Sequence, residues 1–177
     1  ALWNRMYLGT ARYGRRGIMM AAISAVDIAL WDILGKAASM PVYKLLGAAK
    51  HSLIPYASAG YYQEGKGIPE LQEECAGYVK MGFQAVKIKV GGAPVEEDIA
   101  RVHAVREAIG PDVALGIDAN NAWDYPTALK MARACEKENV LFFEEPMSTD
   151  YPEDCLRLAQ HTDVSIAGYE TLLTRYG

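Results

Sequence analysis

A chain of 177 residues, 51% hydrophobic and 23% charged, is long and apolar enough to bury a core, which excludes a disordered or collagen-like polymer. Its net charge of −4, with no long run of Lys and Arg, excludes a basic stripe for nucleic acid. Cys75, Cys135 and Cys155 are widely spaced in segments of helical pattern, so neither a metal-type cluster nor a disulfide framework is expected, as befits a reducing cytoplasm.

The most apolar stretch, from Ile18 to Leu34, carries Ser24, Asp27 and Asp32 and reads as too short and too polar to span a membrane. No signal peptide is expected ahead of it, although a chain beginning at Ala1 reads as having lost its true start. Ile23, Val26, Leu30 and Ile33 recur at helical spacing from Met20 onward, with Gly35 as the expected stop. A second short helix is expected from Pro41 to Leu46, before Gly47. Residues 1–50 therefore form a helical piece leading into a different pattern over residues 51–177.

That pattern alternates short apolar runs with amphipathic helices. Leu53–Ala57 precedes a helix from Pro69, Ala85–Val90 a helix from Pro94, and Ala114–Ile117 a helix beginning near Asp124. Val140–Phe143 precedes a helix near Pro152, opened by Asp150 and Glu153 spaced as a capping box, and Val164–Ala167 precedes a helix barely begun. Midpoints at Pro55, Lys87, Ile117, Phe142 and Ile166 are 32, 30, 25 and 24 residues apart, the rhythm of βα units in a parallel sheet. An open doubly wound sheet and a closed barrel both fit it. An eight-unit barrel needs on the order of 200–250 residues, so as a barrel the chain reads as cut at both ends and inactive alone, because an open five-strand sheet leaves an edge exposed.

The chemistry sits at strand ends. In Val86-Lys87-Ile88-Lys89-Val90, the two-residue period of a strand turns both amines to one face and the three apolar side chains to the other. An isolated pair of this kind is an ordinary surface strand, since Lys is rarely buried unpaired. Here three acids follow: Asp118, Glu144 and Glu170, each closing a strand and each 26 residues from the last. A lone acid at such a place is a helix-capping carboxylate. A regular trio on the C-terminal face of successive parallel strands needs a cation, and all-oxygen ligands favour Mg²⁺ over zinc. Two lysines beside such an ion suit abstraction of a proton alpha to a carboxylate, where metal and amine offset the charge of the enediolate. Lys89 is expected as the base, with Lys87 lowering its pKa as a like charge and contacting the substrate carboxylate.

Of the neighbouring residues, Asn120 shares the parity of Asp118 and is expected either to orient substrate or metal or simply to form the turn. Glu145 points away from Glu144 and reads as a polar partner before Pro146. Tyr56, near the end of the first strand, lines the substrate pocket or belongs to the core. Gly91-Gly92 lacks any phosphate-loop pattern and reads as a strand-to-helix connection. His51, His103 and His161 fall at no strand end and read as surface or packing residues.

Ala25-Val26-Asp27-Ile28-Ala29-Leu30-Trp31-Asp32, Gly35-Lys36 and Pro41-Val42-Tyr43-Lys44-Leu45-Leu46-Gly47 resemble the signature that leads into the barrel of mandelate racemase and muconate lactonizing enzymes. The Lys-x-Lys pair, Asp118-x-Asn120, Phe143-Glu144-Glu145-Pro146 and Gly168-x-Glu170 match that enolase-superfamily family in order and spacing. The resemblance implies an α/β fold: a partial (β/α)₈ TIM-type barrel of about five units, preceded by the helical end of an N-terminal α+β capping domain. It also implies Lys89 as base, and Asp118, Glu144 and Glu170 as Mg²⁺ ligands. Tyr169 stands where the family commonly has a small residue.

Glu170 as third ligand resembles the racemase and sugar-acid dehydratase branch, whereas cycloisomerases and dipeptide epimerases typically place Asp there. The resemblance thus implies dehydration of an aldonate-type acid to a 2-keto-3-deoxy acid, with racemisation of a 2-hydroxy acid as runner-up. A cytoplasmic homo-oligomer acting on a small carboxylate, away from membranes and nucleic acid, is the corresponding expectation. The branch's His–Asp pair from later strands is not in this chain. A non-catalytic metal-binding relative is the reading from another class.

Overall fold

The computed structural model describes the chain except residues 1, 15, 16, 49, 169, 171, 172 and 174–177. It divides into two compact units, Ala1–Leu53 with Glu170–Gly177, and Ile54–Tyr169.

The first unit contains α1 (Leu2–Thr10), α2 (Ile18–Ala37) and α3 (Val42–Leu45). Gly35 does not stop α2, which runs on to Ala37. Gly35 is needed for a different reason: a Cβ there would lie 2.9 Å from the Met40 carbonyl oxygen, where the chain folds back toward Pro41. The longer helix also corrects the reading of this stretch as too short and polar to span a membrane. Its twenty residues, with mean hydropathy 1.8 in the most apolar window, suffice by length and composition. A core helix of a water-folded domain meets the same test.

The second unit is a five-stranded parallel sheet of β1 (Ala57–Ala59), β2 (Ala85–Lys89), β3 (Ala114–Asp118), β4 (Val140–Glu144) and β5 (Ser165–Ala167). Between them run α4 (Ile68–Lys80), α5 (Val95–Ile109), α6 (Tyr125–Lys137) and α7 (Pro152–Gln160). The strands lie in sequence order, with no reversal of the kind that defines a doubly wound sheet. Leu71, Cys75, Val102, Val105, Met131, Cys135 and Leu158 of the four helices share one core with Val86, Ile88, Leu115, Ile117 and Phe143 of the strands. All helices therefore cover one face of the sheet, as in an arc of a (β/α)₈ barrel.

That core sets the register. Burying a Val, Leu, Ile or Phe side chain contributes roughly 1.5–3 kcal/mol. A one-residue slip of β2 would turn Val86 and Ile88 outward and both lysines into the core. The helix starts are local. Asp124 accepts the Thr127 N–H at 3.1 Å to cap α6, and Glu70 accepts the Gly67 N–H at 2.9 Å to open α4.

Two details of the second unit also differ from expectation. The first strand begins at Ala57 rather than Leu53, because Pro55 has no N–H for a ladder, and Leu53 and Ile54 are exposed. The capping box at Asp150 and Glu153 does not form. The cap position falls on Tyr151, and the Asp150 N–H donates instead to Ser148 Oγ at 3.1 Å. The helix expected after β5 falls largely outside the described residues.

Candidate active site

Register brings the strand ends into line. Lys89 pairs with Asp118, Asp118 with Glu144, and Glu144 with Ala167 across four successive strands. A bulge makes this possible: Leu115 pairs with Val140 but Gly116 with Phe142, so Leu141 is the extra residue and is exposed. Phe142 and Glu144 thereby share the face of Lys87 and Lys89. Gly116 leaves the space that the Phe142 ring fills, since a Cβ there would collide with the ring.

On that face the amines meet the acids directly. Lys87 Nζ donates to Glu144 Oε2 at 2.6 Å and to Asp118 Oδ2 at 3.1 Å. Lys89 Nζ donates to the same Asp118 oxygen at 2.7 Å and to Asn120 Oδ1 at 2.5 Å. The Asn120 N–H donates to Asp118 Oδ1 at 3.0 Å, so both oxygens of this buried carboxylate are engaged. Burial alone would raise the Asp118 pKa, but hydrogen bonds from Lys89, the Asn120 N–H and Lys87 outweigh it and hold the group below the usual carboxylate value. Burial opposes the Lys87 charge, and Glu144 and Asp118 overcome it, so its ammonium is held well above the ordinary lysine value.

The backbone here is bent into uncommon conformations. Asn120 and Asn121 have φ of 44° and 65°, which Asn tolerates, but Glu145 also has a positive φ of 44°. It is held there by its neighbours. The Asn121 N–H donates to the Glu145 carbonyl at 2.8 Å, Asn121 Nδ2 to its carboxylate at 3.1 Å, and the Glu145 N–H to Ala167 O at 3.0 Å. Glu145 is therefore a buried partner of the turn after β3.

Tyr56 precedes β1 instead of lying near its end, because the strand starts late. Its ring is 5.4 Å from Lys87 Nζ and 6.1 Å from the Phe142 ring. The residue at the C-terminal end is Tyr61, whose ring lies 5.8 Å from Lys89 Nζ. Tyr61 was not singled out from the sequence, although its place directly after a strand and Gly60 is the signal for it. Glu170 is an exposed turn residue after β5, in the other compact unit. Tyr169 lies outside the described residues.

Among the described residues, no three His, Cys, Asp or Glu side chains stand together as a metal centre. Asp118 and Glu144 nevertheless suit a hard cation. Their oxygens converge on one cationic atom, Lys87 Nζ.

Residues 70–177 match the family described as Enolase C-terminal domain-like, and residues 2–47 match the Mandelate racemase / muconate lactonizing enzyme, N-terminal domain. The chain belongs to the mandelate racemase and muconate lactonizing enzyme family of the enolase superfamily. The apolar helix α2 lies within the matched N-terminal domain.

Arabinonate dehydratase of Saccharolobus solfataricus is 51% identical over 99% of the chain and 47% of its own length. The crystal structure of the 3,6-anhydro-D-galactonate cycloisomerase from Zobellia galactanivorans superposes with a TM-score of 0.89 at 43% identity, over 96% of this chain and 47% of that one. L-talarate dehydratase from Polaromonas sp. JS666, solved with Mg and L-glucarate, gives 0.84 at 37% identity, over 96% and 47%. The chain thus spans about half the length of the curated relatives it matches.

Proposed function

We propose that the full-length protein is a Mg²⁺-dependent lyase that removes the proton alpha to the carboxylate of an aldonate-type sugar acid and eliminates water to give a 2-keto-3-deoxy acid. The observation that carries this reading is the convergence of Lys87, Lys89, Asp118 and Glu144 on the C-terminal ends of three adjacent parallel strands. The 51% identity to an arabinonate dehydratase supports the choice of a sugar acid.

In this reading Asp118, Glu144 and Glu170 would hold the ion, which would supply positive charge against the charge developing on the substrate carboxylate. Lys89 Nζ takes the alpha proton. Asn120, already bonded to that amine, fixes its direction. Lys87 keeps its charge and faces the substrate carboxylate. Tyr56 lines the same face. The site belongs to a cytoplasmic homo-oligomer, with Cys75 and Cys135 as buried free thiols.

The 43% identity to a cycloisomerase supports a second reading, in which the same proton abstraction ends in isomerisation instead of loss of water. Incubating the full-length protein with Mg²⁺, deuterium oxide and a panel of sugar acids separates the two. Dehydration gives a 2-keto-3-deoxy product, and Lys89→Ala abolishes both turnover and alpha-hydrogen exchange from its face. An isomeric product without loss of water would overturn the dehydratase reading, and normal exchange by Lys89→Ala would remove the base.

A further inference from the structure

We propose that Arg101, supported by Asp98 and Tyr62, is a positioning residue that fixes the main chain of Lys89 against the turn after β1 and so sets where the Lys89 amine meets its substrate. The proposal rests on the reading of Lys89 as the base.

The β1–β2 ladder ends at Ala59 and Ile88, so Gly60 and Lys89 are the first facing residues beyond it. Arg101, on α5 and almost fully buried, stands between their carbonyls. Its Nη2 donates to Gly60 O at 2.8 Å and reaches Lys89 O at 3.4 Å. One planar cation thus ties two strand ends where the ladder has stopped. The Gly60 N–H is held separately by Glu74 Oε2 at 3.1 Å, and Glu74 pairs with Lys66 at 2.8 Å.

Asp98 completes the brace from the first turn of α5. Its carboxylate is fully buried. Oδ2 accepts the Gly91 N–H at 2.7 Å, two residues beyond Lys89, while Oδ1 accepts the Tyr62 hydroxyl and lies 3.4 Å from Arg101 Nε. The Tyr62 ring lies 4.2 Å from the Arg101 guanidinium carbon. It occupies space that a Cβ on Gly92 would enter, at 2.6 Å, which accounts for the second glycine of Gly91-Gly92.

Stability alone is a poor account of this cluster. A buried ion pair loses hydration that its attraction barely repays, and apolar residues of similar volume do as well or better. What apolar residues cannot supply is donors and acceptors aimed at chosen peptide groups. The bonds from this cluster to peptide groups go to Lys89 O, Gly91 N–H and both polar groups of Gly60, in the turn that carries Tyr61, whose ring is beside the Lys89 amine. A displacement of that backbone moves the base with it, and about 1 Å of misplacement costs on the order of a hundredfold in rate.

The test uses the full-length enzyme with Mg²⁺ and its sugar acid, comparing Arg101→Lys, Arg101→Met and Tyr62→Phe with Lys89→Ala. Tyr62→Phe keeps the ring and removes one hydroxyl, so it carries the test if the Arg101 variants do not fold. The expected result is a fall in kcat of about tenfold to a hundredfold per folded site, with KM within about threefold. A larger deuterium isotope effect from alpha-deuterated substrate and faster amide exchange at Gly91 should accompany it. Folded variants with wild-type kcat and isotope effect, beside an inactive Lys89→Ala, would overturn the positioning role while leaving the base in place. Normal exchange by Lys89→Ala would overturn both.

Discussion

Lys87 and Glu144, from strands separated by β3, are joined by a hydrogen bond of 2.6 Å, and the same amine reaches Asp118 between them. An ammonium thus neutralises the place where two carboxylates converge. Lys87→Met takes the shared amine from Glu144 and leaves Asp118 with Lys89 alone, and is expected to cost about 1–3 kcal/mol in the absence of metal, less than a fully buried pair because Glu144 is partly open. Mg²⁺ should then stabilise the variant more than the wild type, where it competes with the amine. A hundredfold excess over Kd contributes about 2.7 kcal/mol. Thermal melts of the full-length protein with and without Mg²⁺ measure this. An equal or smaller Mg²⁺ shift in Lys87→Met would show that the amine and the ion do not share the acids.

Glu145 combines a buried side chain with a left-handed backbone. Glu145→Ala and Glu145→Gly both lose the bond from Asn121 Nδ2, but only glycine relieves the backbone. The glycine variant should be the more stable of the two by about 1 kcal/mol. Urea denaturation of both decides it, and equal midpoints would mean that the backbone at Glu145 relaxes when the side chain is removed.

The sequence showed the parallel repeat and the inward face of each strand because alternation is a local property: Val86 and Ile88 against Lys87 and Lys89 needs no knowledge of the rest of the chain. Lys87, Lys89, Asp118, Glu144 and Asn120 were visible the same way and stand together at the strand ends, whereas Glu170 falls in a different compact unit. Features that depend on a partner strand were hidden. The start of β1 is set by where Ala57 finds Val86, and the bulge at Leu141 by where Phe142 finds the space above Gly116. Pairing of the acids with Lys87 was hidden for a similar reason. Sequence order assigns the acids a metal, whereas geometry first offers them the nearest amine.

The fit of Phe142 over Gly116 makes a specific test of the bulge. Gly116→Ala places a methyl group inside the ring's space and is expected to destabilise by about 1–3 kcal/mol, as overpacking does. In a Phe142→Leu background the same substitution should cost much less, because the smaller side chain leaves room. A double-mutant cycle measured by chemical denaturation gives the coupling. Strictly additive effects would show that the two residues do not share the site.

His103, on the solvent side of α5, lies with Nδ1 2.8 Å from Glu138 and Nε2 3.6 Å from Glu107. The hydrogen bond and charge of Glu138, with a smaller effect of Glu107, raise its pKa above the ordinary 6.5. A histidine raised on folding binds its proton more tightly in the native state. Its contribution to stability is therefore complete below about pH 6.5 and is lost as the pH rises through the raised native value. An NMR titration should place the His103 midpoint above 6.5, and Glu138→Gln should bring it down toward that value. Because the imidazole is exposed, added salt should shrink the difference between the two proteins as screening weakens the pair. Identical midpoints at low salt would sink the assignment of the shift to Glu138.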